Sequence, residues 1–529
     1  MIRPAEMRAT MCGALLSLAA IPAGAQSPTP IADAYRETAN RIIAAAIKDS
    51  SAWNRLAELT DRFGHRLSGS PGLEAAIDWV IAEMKRDGLE NVRGEPVMVP
   101  KWVRGEESAT LISPRNVKLN MLGLGRSVGT SPKGITAPVM VVSSFEELTA
   151  RAAEAPGKIV LFDVPFTTYG QTVRYRSGAA NAAAKVGAVA ALIRSVSSYS
   201  MQNPHTGGMS YDSTLKKKIP AAALSVEDAM MVHRMVKRGQ RVVINLRMSA
   251  RTLPDVPSRN VVAEIRGSSK PDEVVVLGGH IDSWDVGTGA MDDAGGVVAT
   301  WEAVKLIKRL GLRPKRTIRV VAWTNEENGS RGANGYRDAH RAELDKHVVA
   351  LESDNGVFKP LGLGVTAGEG GLAMIADIAT LFKSLGADSA QQGGGGADTG
   401  PLNRLGVPTM SPVVDGSKYF WYHHSSADTI DKLSPGEVAE CVALIAVTVY
   451  VLADMPGTLP RSLPRSDSLS AESRREARAR DSRSVPFASR ACFPRSRERR
   501  CPTVRRAAAR LHARRVLRPL PRACHHCLR

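Results

Sequence analysis

Three polar clusters in this sequence follow directly on short apolar runs that predict β-strands. They are His280 to Asp282, Asn325 to Glu327 and Glu352 to Asp354, and a further acidic pair, Asp292-Asp293, stands between glycines just before a predicted helix. In open α/β sheets, sites form at the carboxyl ends of the strands, so these side chains are expected to converge. A set of His, Asp and Glu without Cys is typical of catalytic zinc, whereas structural zinc usually takes thiolates. The sequence therefore predicts a catalytic metal site.

Neighbouring carboxylates in two of these segments predict divided roles. Two zinc ions about 3.5–4 Å apart share a bridging carboxylate. Asp292 is preferred over Asp293 for this bridge because the flanking glycines let the backbone approach the ions. In the pair Glu326-Glu327, one carboxylate is expected to bind metal, while the other takes the proton of the activated water and later passes it to a leaving amine. The predicted chemistry is metal-assisted hydrolysis.

The spacing His280-x-Asp282 adds a positioning residue. Asp282 is expected to accept a hydrogen bond from the His280 ring nitrogen that faces away from the metal, which fixes the ring tautomer. The alternative for Asp282 is a turn or helix cap. Any one of these residues alone could be a common surface or capping residue. The metal-site hypothesis therefore depends on several of them being found at successive strand ends.

The elements that must position these residues alternate between strands and helices. Strands are predicted at 261–265, 274–277, 318–323 and 348–351, and helices at 294–310, 333–344, 371–385 and 435–451. Apolar strands separated by helices indicate an α/β fold with a mixed, mainly parallel sheet that is covered by helices on both faces. Three helices are predicted ahead of it, within residues 32–87. Strand and helix signals between 137 and 251 predict a small α/β insert.

The formal net charge of +19 is unevenly distributed. Residues 461–529 contain 20 Arg, 3 Glu and 2 Asp, which accounts for +15 and leaves about +4 for residues 1–460. So small an excess on the body indicates no broad phosphate-binding face, and no nucleic acid partner is expected. Residues 461–529 predict an Arg-rich disordered tail, although out-of-frame translation of a GC-rich gene gives the same composition.

The N-terminus has the pattern of a secretory signal peptide. Two arginines precede the apolar run 11–21, and Ala23-Gly24-Ala25 offers a small-residue cleavage site. This pattern predicts that residues 1–25 are removed and that the mature protein is secreted or periplasmic. No stable membrane insertion is expected, because no later segment has 18 uninterrupted apolar residues. Cys441, the one cysteine between the signal and the tail, is expected to be a buried thiol.

Seven motifs together give the chain a resemblance to a known family, the co-catalytic dizinc exopeptidases of the aminopeptidase and glutamate carboxypeptidase type. The resemblance covers roughly residues 35 to 455. The motifs are Arg66 to Ser70, Trp102 to Gly105, Gly279 to Gly287, Asn325 to Glu327, Glu352 to Asp354, Gly396 to Asp398 and Tyr422 to Thr429.

The resemblance implies two Zn²⁺ per chain and a role for each candidate residue. It places one zinc at His280, Asp292 and Asp354, the other at Asp292, Glu327 and His424, and the catalytic pair at Asp282 and Glu326. It also implies a protease-associated domain at 125–251, inserted between the peptidase parts 26–124 and 252–460, that shapes substrate access. The implied substrates are dipeptides or short peptides, and a homodimer is an implied assembly.

Several choices stay open at this point. Either ring of His423-His424 could face the metal, and the family pattern favours His424. Asp398, in a glycine-rich loop, is expected to line the substrate pocket together with His423, with a plain turn aspartate as its alternative. A single-zinc glutaminyl cyclase-like acyl transferase and a non-catalytic, receptor-like relative are the alternative functions. The sequence does not distinguish amino-end from carboxy-end recognition of a peptide.

Overall fold

The computed structural model describes residues 30–199 and 201–461. The predicted signal peptide at 1–25, and the tail beyond Arg461, lie outside the described residues.

Helices account for much of the part of the chain that the structure describes. Five short 3-10 segments extend or link them, among them Arg341–Lys346 after α8 and Thr380–Leu385 after α9. The α-helices are α1 (Ile31–Ile47), α2 (Ser51–Phe63), α3 (Pro71–Arg86), α4 (Phe145–Ala150), α5 (Tyr169–Lys185), α6 (Val226–Lys237), α7 (Gly295–Arg309), α8 (Arg331–Ala339), α9 (Gly371–Ala379), α10 (Gly400–Asn403), α11 (Tyr419–Tyr422) and α12 (Pro435–Asp454).

The strands form two sheets of eight strands each. In chain order they are β1 (Glu90–Val103), β2 (Glu107–Ser113), β3 (Val117–Leu119), β4 (Met121–Gly123), β5 (Ile135–Val142), β6 (Ile159–Phe162), β7 (Ala190–Arg194), β8 (Ala221–Leu224), β9 (Val243–Met248), β10 (Arg251–Ile265), β11 (Lys270–His280), β12 (Arg316–Trp323), β13 (His347–Glu352), β14 (Pro360–Thr366), β15 (Ser389–Gln392) and β16 (Thr409–Val414).

The first sheet has the order β1-β10-β12-β11-β13-β16-β14-β15. Its centre, β12-β11-β13-β16, is parallel, while β1, β10 and β14 each pair antiparallel with a neighbour. Alternate side chains of β11 enter different cores: Val275 and Leu277 pack with α7 and α12, and Val274 and Val276 pack with Tyr336 of α8. Helices therefore cover both faces, and the predicted mixed, mainly parallel α/β sheet is confirmed.

The second sheet is built from the chain between β1 and β10. Its order is β3-β2-β9-β5-β6-β7-β8-β4, and β5 to β8 are parallel. It begins at Glu107, ahead of the predicted insert boundary at 125, because β2 pairs with β9 and β4 pairs with β8. The strands β3 and β4 have only three residues each, too few to show an alternating pattern.

The helix α12 is the one helix among the described residues that is long and apolar enough to cross a membrane by length and composition. In the fold, 78% of its most apolar window is buried. It packs against α7 and α1 in the largest hydrophobic core, and the Cys441 thiol is buried within it, as predicted. Its hydrophobicity is that of a core helix.

Candidate metal centre

The three predicted strand-end clusters meet at one edge of the first sheet. His280 is the last residue of β11 and pairs with Trp323 at the end of β12, while Gly278 pairs with Glu352 at the end of β13. Because the three strands are parallel and in register, the residues that follow them emerge side by side. Glu327 and Asp354 therefore reach the same space as His280.

Asp292 enters this space from the tight turn that precedes α7. Its amide and that of Met291 donate to the carboxylate of Asp428, at 3.2 and 2.7 Å. The following peptide bond, to Asp293, is cis. A Cβ built on Gly296 would lie 1.8 Å from the Ser353 carbonyl oxygen, so only glycine lets the helix start come this close to the strand end.

The Asp292 carboxylate lies between two histidines. His280 Nε2 is 3.2 Å from Asp292 Oδ1 and 3.3 Å from Asp354 Oδ1. On the other side, His424 Nε2 is 3.2 Å from Asp292 Oδ2 and 2.9 Å from Glu327 Oε2. Asp292 thus gives one oxygen to each of two similar groups, as a bridging ligand would.

Both candidate rings of the His423-His424 pair reach the site, but at different distances. His423 Nε2 is 3.7 Å from Asp292 Oδ2, farther than His424, and it has no contact with Glu327 among the ion pairs of the described residues. The His424 backbone lies in the left-handed region, with φ of 59°. Thr206 holds it there by donating its amide to the His424 carbonyl at 2.8 Å. His424 is thus the nearer of the two rings to both carboxylates, although both rings belong to one candidate metal-binding group with Asp292.

The donor set fits divalent metal ions. The ligand atoms of His280, Asp292 and Asp354 lie within 4.8 Å of one another. Asp292 Oδ2 and Glu327 Oε1 are buried and lack hydrogen-bond donors, even though His424 Nε2 approaches the former to 3.2 Å. Buried carboxylates this close repel one another, and cations between them offset that repulsion. Imidazole and carboxylate are ligands that suit zinc.

The protonation states around Asp292 follow from burial and neighbours. Burial alone raises the pKa of Asp292, but its contacts with His280 and His424 outweigh burial and hold the pKa well below its ordinary value. Burial lowers the pKa of His424 to about 4, against the opposing effect of Asp292. His424 is therefore neutral at pH 7, which is the form that donates a lone pair to a metal.

Glu326 and Glu327 differ in burial and contacts. Both line the adjoining cavity, but Glu327 is buried and faces His424, whereas Glu326 is partly exposed. Burial raises the pKa of Glu326 to about 8, with the negative charge of Asp354 adding to the rise and His280 opposing it. A carboxylate with a raised pKa holds a proton more readily, which suits a group that must accept one and release it.

Asp282 has a different hydrogen-bond pattern from the one expected. His280 Nδ1 is 2.9 Å from the Asp282 carbonyl oxygen and 3.8 Å from its carboxylate, so the backbone and not the side chain fixes the ring. The carboxylate instead accepts from Glu326 N at 3.0 Å and from Ser68 Oγ at 3.2 Å. Only Ile281 separates the strand end from Asp282, and the turn there directs the Asp282 carboxylate to the Glu326 amide.

A cavity of about 370 Å³ opens onto the site. Of the two residues expected to line a substrate pocket, His423 lines this cavity and Asp398 is not among its lining residues. Asp398 is buried with its amide donating to Glu352 Oε1 at 3.1 Å, because the glycine-rich loop folds onto that carboxylate. The lining residues are Tyr169, Arg176, Gly208, Asp292, Glu326, Glu327, Asp354, Asn355, Tyr419, Phe420, His423 and His424.

Two residues support the site in roles that the sequence did not predict. Arg66 is fully buried and donates to the carbonyls of Ile281, Thr288 and Gly289, tying the loop after β11 to the turn that holds Asp292. Asp293 accepts from the amides of His280 and Gly296, at 3.0 and 3.1 Å. The available signals were the position of Asp293 next to Asp292 and the place of Arg66 at the start of one resemblance motif, but the contacts depend on the folded loops.

Comparison with known proteins shows which family this chain belongs to. Residues 260–449 match the model of peptidase family M28. Carboxypeptidase Q from Mus musculus is 47% identical over 431 residues, which is 81% of this chain and 92% of that protein. A solved peptidase M28 precursor from Shewanella amazonensis SB2B is 37% identical with a TM-score of 0.79, covering 82% of this chain and 99% of that one. A zinc aminopeptidase from Bacillus subtilis, 20% identical, shares the fold with a TM-score of 0.58 and covers 77% of this chain and 96% of its own.

Proposed function

Because the chain belongs to peptidase family M28, we propose that it is an exported, zinc-dependent exopeptidase that hydrolyses dipeptides or short peptides. The observation that carries the proposal is the position of the Asp292 carboxylate between two His-carboxylate pairs. It lies beside a cavity that is also lined by Glu326. The names of the relatives, carboxypeptidase Q and zinc aminopeptidase, support peptide bonds as the target.

Two zinc ions are proposed, with Asp292 as their shared ligand. His280 and Asp354 complete one set, and Glu327 and His424 complete the other. When bound, zinc supplies Lewis acidity that activates water and stabilises negative charge on the carbonyl oxygen. The neutral His424 ring and the buried carboxylate oxygens without donors support this assignment.

Glu326 is proposed to move the proton in the reaction. Its carboxylate takes one proton from the attacking water as the oxygen bonds to the scissile carbonyl carbon, and it delivers that proton to the amide nitrogen as the C–N bond breaks. Asp282 holds the Glu326 backbone through the 3.0 Å hydrogen bond to its amide, so the carboxylate stays aimed at the cavity. Asp282 is therefore a positioning residue.

The chain between β1 and β10 is proposed to be a protease-associated domain that shapes access to the site. Tyr169, Arg176 and Gly208 from this region line the cavity. Export is proposed from the N-terminal signal pattern, and the Shewanella relative is also described as a precursor. Both proposals place the peptidase in contact with external peptides.

The test is Glu326→Gln, assayed on a panel of dipeptides and aminoacyl substrates with zinc content measured by mass spectrometry. The variant should lose at least about 100-fold in kcat while keeping two zinc ions, because Gln cannot carry the proton. Glu327→Gln should lose one zinc, and Glu369→Gln, on an exposed residue, should change nothing.

Full activity of Glu326→Gln would refute the proton-transfer role. One zinc per wild-type chain would favour glutaminyl cyclase-like acyl transfer, and intact folding without zinc or turnover would favour a receptor-like relative. These results separate the proposal from both alternatives.

A further inference from the structure

A loop of the second sheet packs directly against the turn that carries His423 and His424. This loop, residues 203–208, lies in the connection between β7 and β8, and its residues His205 and Thr206 are buried. The His205 Nδ1 is 2.7 Å from the His423 carbonyl oxygen. The Thr206 amide donates to the His424 carbonyl at 2.8 Å. One loop therefore holds two consecutive carbonyl groups of the candidate ligand turn.

The His205 ring acts as a donor in this contact. A carbonyl oxygen only accepts hydrogen bonds, so the ring carries a proton on Nδ1. The ring's Nε2 is buried and has no hydrogen-bond partner among the residues that the structure describes. This position therefore requires a donor at Nδ1, and nothing in its surroundings uses Nε2.

The 203–208 loop is in turn tied to the ends of two strands. His205 N donates to Ser195 Oγ at 2.9 Å, directly after β7, and Thr206 Oγ1 donates to the Gly123 carbonyl at 2.7 Å, at the end of β4. Arg104 Nη2 adds a hydrogen bond of 3.3 Å to Thr206 Oγ1. The position of the second sheet therefore sets the position of the loop.

The same loop contacts both residues that belong to only one of the two proposed metal positions. His424 has a φ of 59°, which residues other than glycine rarely adopt, so its conformation depends on contacts from outside the turn. At Gly208, a Cβ would lie 3.3 Å from the carbonyl oxygen of Glu327, so the loop backbone packs closely against that residue. The loop thus borders the metal position of Glu327 and His424.

The other metal position has its support within the first sheet and its turns. His280 N donates to the Asp293 carboxylate at 3.0 Å, and His280 Nδ1 is 2.9 Å from the Asp282 carbonyl oxygen. The Asp292 amide donates to the Asp428 carboxylate at 3.2 Å. These contacts lie outside the region between β1 and β10, so the His280 side of the centre has its own scaffold.

We propose that the 203–208 loop positions one metal ion only, the zinc assigned to Glu327 and His424. This inference rests on the proposed function. His205 is the positioning residue, since it acts through the His423 carbonyl. The second sheet then helps to build the metal centre in addition to shaping access to it, because a movement of this sheet away from the first would take the loop contacts with it.

The test measures how tightly each zinc ion is held, by titrating zinc-loaded protein with a competing chelator and counting the retained zinc by mass spectrometry. His205→Gln should weaken the binding of one zinc ion by about 10- to 100-fold, the usual effect of losing a partner behind a metal ligand. His205→Asn should restore the binding, because the Asn amide nitrogen takes the place of Nδ1, whereas the Gln amide nitrogen takes that of Nε2. His233→Gln is the matched control, since His233 lies on α6 and its ring contacts Asp163.

A double variant identifies the affected ion. Glu327→Gln is expected to retain only the zinc at His280, so adding His205→Gln should leave the affinity of that remaining ion unchanged. Thr206→Val is an independent probe of the loop, because it keeps the side-chain shape and loses the donor to Gly123. It should weaken the same ion as His205→Gln, by about 5-fold, as expected for one hydrogen bond.

Other results would contradict the inference. If His205→Gln binds both ions as wild type does, or if His205→Asn binds no better than His205→Gln, the Nδ1 hydrogen bond does not position the ligand. Weaker binding of both ions, or of the remaining ion in the double variant, would make the loop a general support of the fold. Wild-type protein that binds no zinc would instead refute the proposed function, whatever the His205 variants show.

Discussion

Replacing Arg66 by Leu should lower the free energy of unfolding, because Arg66 joins the loops that position the candidate metal ligands. The Arg66 side chain has no exposed surface and makes four hydrogen bonds to carbonyl oxygens. Nε donates to Ile281 at 2.7 Å, Nη1 to Gly64 at 3.0 Å and to Thr288 at 2.7 Å, and Nη2 to Gly289 at 3.0 Å. Leu fills part of the volume but satisfies none of these carbonyls.

The magnitude follows from these contacts. Four hydrogen bonds at about 1 to 1.5 kcal/mol each give about 4–6 kcal/mol. Leu avoids the cost of burying a charge, which offsets part of this. Burial lowers the pKa of Arg66 to about 10, although Asp428 and Asp282 oppose the shift, so the charge is retained at pH 7. A net loss of about 3 kcal/mol is expected, or roughly 3 °C in Tm for a body of about 430 residues.

The assay is urea unfolding followed by tryptophan fluorescence, with zinc content measured on the same samples. Arg66→Leu should lower the unfolding midpoint and lose zinc, because the loop after β11 and the Asp292 turn are no longer joined. Arg62→Leu is the matched control, since Arg62 is 58% exposed in its pair with Glu58 and its loss should cost under about 0.5 kcal/mol. If Arg66→Leu unfolds like Arg62→Leu and retains two zinc ions, the reasoning is refuted.

Three further predictions test the site and its surroundings. Gly296→Ala puts a Cβ 1.8 Å from the Ser353 carbonyl oxygen, so it should cost about 3 kcal/mol in urea unfolding and weaken zinc binding; wild-type stability would show that the helix start can shift. His424→Ala should leave one zinc per chain by mass spectrometry while His423→Ala keeps two, and the reverse result would assign the ligand to His423. Burial lowers the pKa of His347 to about 4, from about 6.5 in the unfolded chain. As the pH falls from 6.5 to 4, the unfolded state therefore gains a proton that the folded state does not, and the free energy of unfolding decreases. At pH 5 the loss is about 2 kcal/mol relative to pH 7; His347→Gln should reduce it when urea unfolding is compared at the two pH values, and an unchanged pH dependence would contradict the assignment.

The sequence by itself determined the central sheet and the candidate ligands. Strands β11, β12 and β13 are short, apolar and separated by helices, so local pattern sufficed to predict them, and parallel pairing brings the residues after them together. His280, Glu327 and Asp354 lie in the clusters that this rule identified, and the family resemblance implied the choice of Glu327 and Asp354 within them. The strand β1 was not predicted because Gly94 and Pro96 interrupt its pattern, yet an edge strand that pairs only with β10 tolerates both.

The tertiary structure alone decided where each side chain of the site points. The Asp282 carboxylate accepts from the Glu326 amide instead of the His280 ring, because loop conformation sets side-chain direction and residue spacing does not. Asp398 is buried outside the cavity lining because its backbone amide donates to Glu352. Arg176 is more than 100 residues from every predicted ligand in the sequence, and it contacts His424, 248 residues away, only through folding. Residue types and periodicity are local properties of a chain, whereas the contact of Arg176 with His424, a candidate ligand, exists only once residues from the two sheets come together.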